Sequence, residues 1–276
     1  MLKKIISMFV AAMMTFSVNT GSAAVNEDLT NYVPVSGLEA EVHEADANNE
    51  PPVQEVVLPE DEKKDEEEVK RIIDPDKPMI ALTFDDGPSK YTPEILETLK
   101  NNNSSATFFV LGQEADKYKD TIKLIMEEGS EVGNHTYNHK DLTKLSDEEI
   151  SDQIHKTEDL IYITSGNVSS LVRPPYGASD AKLNEKISRP IIKWSVDTRD
   201  WQSRDAQKII DHVLSHAKDG EIVLMHDIYK STAEASKIFI PRLIEMGYQL
   251  VTISEMAESR GISLTAGQQY YNMYKK

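Results

Sequence analysis

Met79-Ile80-Ala81-Leu82-Thr83-Phe84-Asp85-Asp86-Gly87-Pro88 is an apolar run that ends in two carboxylates and a turn. A run of this kind reads as a strand buried on both faces, the habit of parallel sheets covered by helices. Gly87 can take a positive φ and Pro88 cannot continue a ladder, so the strand stops here. The two carboxylates therefore stand where a strand gives way to a loop, which is where α/β proteins hold their ligands. Side by side they repel unless a cation or a shared proton relieves them. Taken alone, the stretch could be no more than an Asx-rich turn; the residues further along give it company.

Downstream, strand-like and helix-like runs alternate. Strands are predicted at residues 79–84, 106–110, 131–133, 171–173, 191–196, 221–225 and 249–253. Thr92-Pro93 reads as an N-cap with proline at the first helical position, ahead of Ile95, Leu96 and Leu99. Ser146-Asp147-Glu148-Glu149 is a capping box before Ile150, Ile154, Leu160 and Ile161. Ile209, Ile210, Val213 and Leu214 follow Asp205, and Ile238, Leu243 and Ile244 precede Gly247, a helix stop. About seven β-α units make a barrel or a doubly wound sheet. No glycine-rich phosphate loop is present, which favours a distorted (β/α) barrel of about seven strands.

The front of the 276-residue chain is different. Lys3 and Lys4 precede an apolar run from Ile5 to about Val18, followed by Thr20-Gly21-Ser22-Ala23-Ala24. That pattern makes residues 1–24 a signal peptide. The run, roughly 14 residues long, is short of the ~20 that span a bilayer, so an uncleaved membrane anchor is the lesser alternative. Residues 25–76 carry 17 Asp and Glu against 4 Lys and Arg, hence −13 of the net −17. Such a segment buries too little apolar surface to fold and is expected to be a disordered acidic linker. What remains is only mildly acidic, which speaks against a nucleic-acid partner. Absence of cysteine excludes disulfides, thiolate catalysis and cysteine-held zinc.

Four more polar stretches fall at predicted strand ends. His135-Thr136-Tyr137-Asn138-His139 offers two imidazoles at i and i+4, on one face of a helical turn. With one carboxylate they suit zinc and leave a position for water, the composition of a catalytic site. Arg173-Pro174-Pro175-Tyr176-Gly177 is a stiff loop that holds its arginine and the Tyr176 backbone in place. Asp197-Thr198-Arg199-Asp200-Trp201 leaves the next strand with two acids and an aromatic. Leu224-Met225-His226-Asp227 ends the one after, and a histidine there with a neighbouring aspartate is the arrangement of a general acid. Each stretch alone has a structural explanation; five at successive strand ends form a site.

The ordered set Thr-Phe-Asp-Asp-Gly-Pro, His-Thr-x-x-His, Arg-Pro-Pro-Tyr, Asp-x-x-Asp-Trp and Leu-x-His resembles the polysaccharide deacetylases, the NodB-homology domains of carbohydrate esterase family four. In motifs it is most similar to the peptidoglycan N-acetylglucosamine deacetylases. The resemblance covers residues 77–260 and leaves 261–276 as a tail. It implies a distorted (β/α) barrel that removes acetyl groups from sugars. It further implies Asp85 as general base, and Asp86, His135 and His139 as ligands of one divalent ion, zinc (Zn2+) first, with Co2+, Mn2+ or Ni2+ as alternatives. Arg173 would orient Asp85, the Tyr176 N–H would meet the oxyanion, and Asp200 would tune His226 as general acid. Tyr176, Trp201 and Leu224 would line the substrate pocket. The expected substrate is peptidoglycan N-acetylglucosamine, ahead of chitin oligomers, an exopolysaccharide or acetylated xylan. A muramic acid deacetylase ranks lower because such relatives tend to depart from Arg-Pro-Pro-Tyr. A noncatalytic glycan-binding wall protein is the alternative of another class. The protein is expected to be a secreted or wall-associated monomer.

Overall fold

The computed structural model describes residues 71–275. The predicted signal peptide and the linker as far as residue 70 lie outside the described residues. Among the described residues there are eight strands: β1 (Met79–Asp85), β2 (Thr107–Val110), β3 (Glu131–Asn134), β4 (Ile191–Ile192), β5 (Val196–Asp197), β6 (Ile222–His226), β7 (Gln249–Leu250) and β8 (Gln269–Tyr270). Every pairing between them is parallel, in the order β3-β2-β1-β6-β5, with β7 on the first half of β1 and β8 on β4. All seven residues of β1 are buried, as its unbroken apolar sequence requires. Single bridges carry the sheet onward from Asn134 to Val172 and from Val172 to Ile191. The segment running from β4 into β5 then returns to β6 through the Ser195 N–H on the Ile222 carbonyl, 3.0 Å. The strands thus form a ring, an α/β fold of the (β/α)-barrel type.

Register places the chemistry. Asp85 stands level with Phe109 on one side and His226 on the other, so the C-terminal ends of β1 and β6 bring an acid and an imidazole to one rim. The core beneath contains Phe84 stacked on Phe108 at 5.1 Å between centroids, with Ile95, Leu96, Leu99 and Phe239 of the covering helices.

Several predicted elements differ. Residues 171–173 contribute one bridging residue, Val172, rather than a strand, and 191–196 breaks into β4 and β5. The cause is Arg173, whose Nε and Nη2 donate to the carbonyls of Ile192 (3.1 Å) and Lys193 (3.0 Å), taking acceptors a ladder would have used. The predicted strand 249–253 ends early because Thr252 and Glu255 form a capping box that starts the helix Ile253–Ser259. Thr92 is not the cap of Thr92–Asn101; Tyr91 holds that position, and the Thr92 hydroxyl accepts from Ser89 N–H and donates to Asp227. The capping box at Ser146 forms as expected and opens the helix Asp147–Ser165.

The folded unit is also wider than 77–260. Arg71, assigned by composition to the linker, donates to the Leu250 carbonyl (2.6 Å), Ser105 Oγ (2.5 Å) and Glu255 (2.5 Å). In the tail, β8 pairs with β4 and Met273 is buried. Arg71→Ala is expected to cost about 1–3 kcal/mol, since three acceptors lose a charged donor; urea unfolding measures it, and an unchanged midpoint would make the contact incidental. Among the described residues no helix is long and apolar enough to cross a membrane.

Candidate active site

The turn after β1 is packed from the side. A Cβ on Gly87 would lie 2.2 Å from the Asp227 carboxylate oxygens, so glycine is required here by crowding. The positive φ expected of Gly87 falls instead on Asp86, at 73°. Both carboxylates lie within 4 Å of His135 Nε2, yet each has a further partner of its own.

Asp85 goes to Arg173. Its Oδ1 accepts from Arg173 Nη1 at 2.7 Å, and the same nitrogen donates to Thr83 Oγ1 at 2.7 Å. The guanidinium is wholly buried, lies 4.1 Å from the Phe109 ring centroid and has its other nitrogens on Ile192 and Lys193 carbonyls. A buried cation with this many fixed acceptors holds one rotamer, and Asp85 with it.

Asp86 goes to the histidines. Its Oδ1 lies 3.4 Å from His135 Nε2 and 3.3 Å from His139 Nε2. The histidines do not converge through a helical turn as predicted. Thr136 and His139 have φ of 72° and 61°, and the loop is held by distant partners. Asn134 Oδ1 accepts from Thr136 N–H, Gln153 Oε1 from Tyr137 and Asn138 N–H, and the Thr136 and Tyr137 carbonyls accept from Gly112 and Gln113. With its backbone groups satisfied elsewhere, the segment has no need of helix bonds. His135 Nδ1–H donates to the Arg173 carbonyl at 2.6 Å, which fixes the tautomer and leaves Nε2 as a lone pair toward Asp86.

These three side chains fit a divalent cation. One ligand atom from each lies within 4.8 Å of the other two, and Asp86 Oδ1 is buried without a hydrogen-bond partner. An orphaned carboxylate oxygen beside two imidazole nitrogens is costly unless a positive charge joins them. Burial works against the Asp86 anion, yet His135 and His139, when their imidazoles carry a second proton, outweigh it and hold the carboxyl down at about 2.

Across the cleft, Asp200 is fully buried and accepts four hydrogen bonds: His226 Nδ1 (2.8 Å), His226 N–H (2.7 Å), Thr232 Oγ1 (2.8 Å) and Trp201 N–H (2.8 Å). Burial presses the His226 imidazole down. The hydrogen bond to Asp200 and its charge, with Asp85 and Asp86 behind them, outweigh that and raise it to about 9.

Asp85, Asp86, His135, His139 and His226 face one cleft of about 410 Å³, which Tyr176, Trp201 and Leu224 also line, while Arg173 and Asp200 are buried behind it. Tyr176 has φ 60°, the residue is 69 % exposed, and its ring meets His139 edge-on at 4.6 Å. Every site residue named from sequence is thus accounted for: Asp85 with Arg173, Asp86 with both histidines, and Asp200 with His226 are in contact, while Tyr176, Trp201 and Leu224 form walls. Tyr229 was not foreseen. It lines the cleft 5.7 Å from His226, centroid to centroid, beneath the Arg204 guanidinium. Its position three residues beyond the strand-end histidine was the only signal.

Residues 72–189 match the family described as polysaccharide deacetylase. The peptidoglycan-N-acetylglucosamine deacetylase PgdA of Listeria monocytogenes is 46 % identical over 194 residues, 70 % of this chain and 41 % of that protein. The peptidoglycan-N-acetylmuramic acid deacetylase PdaC of Bacillus subtilis is 44 % identical over 187 residues, 67 % of this chain and 40 % of that protein. The chain therefore spans about two-fifths of the length of these relatives. The solved structure of PdaC superposes with a TM-score of 0.67 at 43 % identity, covering 68 % of this chain and 94 % of that one. A family 4 acetyl xylan esterase from Clostridium thermocellum, in complex with a cobalt ion, superposes at 0.68 with 30 % identity, covering 71 % and 98 %.

Proposed function

The chain belongs to the polysaccharide deacetylase family, and on that premise we propose that it is a metal-dependent hydrolase that removes N-acetyl groups from a cell-wall glycan and releases acetate. The observation that carries this reading is the convergence in one cleft of the Asp86–His135–His139 donor set with Asp85–Arg173 and His226–Asp200.

Asp86, His135 and His139 would hold one divalent ion, with zinc the first choice and cobalt, manganese or nickel admitted by the same donors. Bound there, it would polarise the acetyl carbonyl and acidify a water. Asp85, held through Oδ1 by Arg173, has Oδ2 left to take the water proton during attack. Tyr176, turned by its positive φ, would offer its backbone N–H to the developing oxyanion. As the C–N bond breaks, the amine requires a proton, and His226 gives it from Nε2 while Asp200 keeps Nδ1 protonated. Trp201 and Leu224 would close around the acetyl methyl.

Peptidoglycan N-acetylglucosamine remains the first substrate, supported by the Listeria relative's name. The Bacillus subtilis relative's name sets N-acetylmuramic acid beside it, where the intact Arg-Pro-Pro-Tyr alone had ranked that sugar lower. Export by the N-terminal segment, with the acidic stretch as a spacer to the wall, agrees with such a polymer. A purely glycan-binding module would need neither the donor set nor the acid–base pair.

Acetate release from glycol chitin, with and without chelator, tests the reading; chelator-insensitive release or none would defeat it. His135→Ala is expected to lose both stoichiometric metal and turnover, and normal metal content in that variant would remove His135 from the donor set. Because the ion binds only the folded site, chelation should also lower the melting temperature of the parent.

A further inference from the structure

Lys193 lies between the two short strands β4 and β5, and the residue is only 4 % exposed. Its ammonium group points under the loop that carries Tyr176, donating to the Gly177 carbonyl and to Ser179 Oγ at 2.8 Å. Among the described residues no carboxylate pairs with it, so the charge is desolvated for the sake of these two neutral acceptors. The loop is otherwise closed on itself: Gly177 N–H donates to the Pro174 carbonyl at 3.1 Å and Ala178 N–H to the Pro175 carbonyl at 3.0 Å. The Gly177 carbonyl is the outlet through which the turn is tied to the barrel.

The turn needs such a tie. Tyr176 and Gly177 are consecutive left-handed residues, with φ of 60° and 61°, and for tyrosine that is a disfavoured conformation. From below, a Cβ on Gly177 would meet the Trp194 ring at 2.6 Å, so Trp194 is a floor for the turn and Lys193 its anchor. The Lys193 backbone is fixed in turn, its N–H on the Tyr270 carbonyl at 2.8 Å and its carbonyl accepting from Arg173 at 3.0 Å.

We propose that Lys193 is a positioning residue for the oxyanion site: its buried ammonium holds the Tyr176–Gly177 turn so that the Tyr176 N–H faces the cleft. The proposal rests on the deacetylase reading above and assigns to Lys193 a part in transition-state binding rather than in substrate or metal binding. It also couples the two sides of the reaction centre. One short segment orients Asp85 through Arg173 by its carbonyls and the oxyanion donor through its side chain.

The test compares the full-length parent with Lys193→Met, which keeps the stem and removes the charge, on a tetramer of N-acetylglucosamine and on 4-nitrophenyl acetate. We expect kcat to fall about tenfold or more, and by less than the 10²–10³-fold that follows outright loss of an oxyanion donor. KM should stay within about twofold, as should the zinc-induced rise in melting temperature. The loss should be the same factor on amide and ester, since both pass through a tetrahedral oxyanion. Lys193→Arg, which restores a cation with donors, should recover most of the rate. A kcat within twofold of the parent, a rise in KM of the same size as the loss in rate, or an arginine variant as slow as the methionine one would overturn the assignment. If Lys193→Met does not fold, Lys193→Gln is decisive: a several-fold lower kcat at unchanged KM supports the role, and a parent-like kcat ends it. A parent that releases no acetate would instead defeat the deacetylase reading itself.

Discussion

Asp85→Asn is expected to keep its metal and to lose about 10²–10⁴-fold in kcat, the usual effect of removing a general base. The two adjacent aspartates are told apart by their partners. Asp85 spends one oxygen on a wholly buried arginine, whereas Asp86 directs an unpartnered oxygen at two imidazoles. An amide at position 85 retains the oxygen that accepts from Arg173 and leaves the fold intact, but it cannot take a proton from water. Asp86→Asn should do the reverse, weakening metal affinity and losing rate only through that. Metal content of both variants, measured beside kcat at saturating ion, separates the roles. Should both come out metal-free, the pair would act jointly as ligands and the base would have to be sought elsewhere.

His226→Ala should be as severe on an N-acetyl glycan and mild on 4-nitrophenyl acetate. An amine must be protonated to leave; nitrophenolate leaves unaided. The pH profile carries the same prediction. The acid must hold its proton, so the rate falls as pH rises through the His226 pKa, which the folded chain raises to about 9. A cation on Asp86 repels the imidazolium, so loading with metal should move the alkaline limb below that value. Asp200→Asn removes the charge that stabilises the imidazolium and one of its accepting oxygens, and the limb should shift further toward acid. The kcat/KM profiles of the three proteins on both substrates decide the matter. An equal loss on amide and activated ester in His226→Ala would make the residue an oxyanion or structural partner.

Much of this site is written in local sequence. The run 79–84 is apolar without interruption, and a strand buried on both faces implies parallel neighbours whose C-terminal ends share a rim. Five polar stretches at such ends were therefore bound to meet, whatever the details of the barrel. Ser146 and Gly247 likewise mark helix ends because capping hydroxyls and left-handed glycines act within one turn of chain. What lay beyond sequence was which partner each group would take. Asp86, Thr136, His139 and Tyr176 all adopt left-handed backbones that their side chains disfavour, and nothing nearby in sequence announces it. Asn134 supports Thr136 from two residues away, but Gln153 and Lys193 reach these loops across the fold. The same holds for Arg173, whose claim on the Ile192 and Lys193 carbonyls broke a predicted strand in two. Periodicity and capping reflect energies summed over a few adjacent residues. The choice between Asp85 and Asp86 depends on which donors remain unpaired after the barrel closes, and only the tertiary structure decides that.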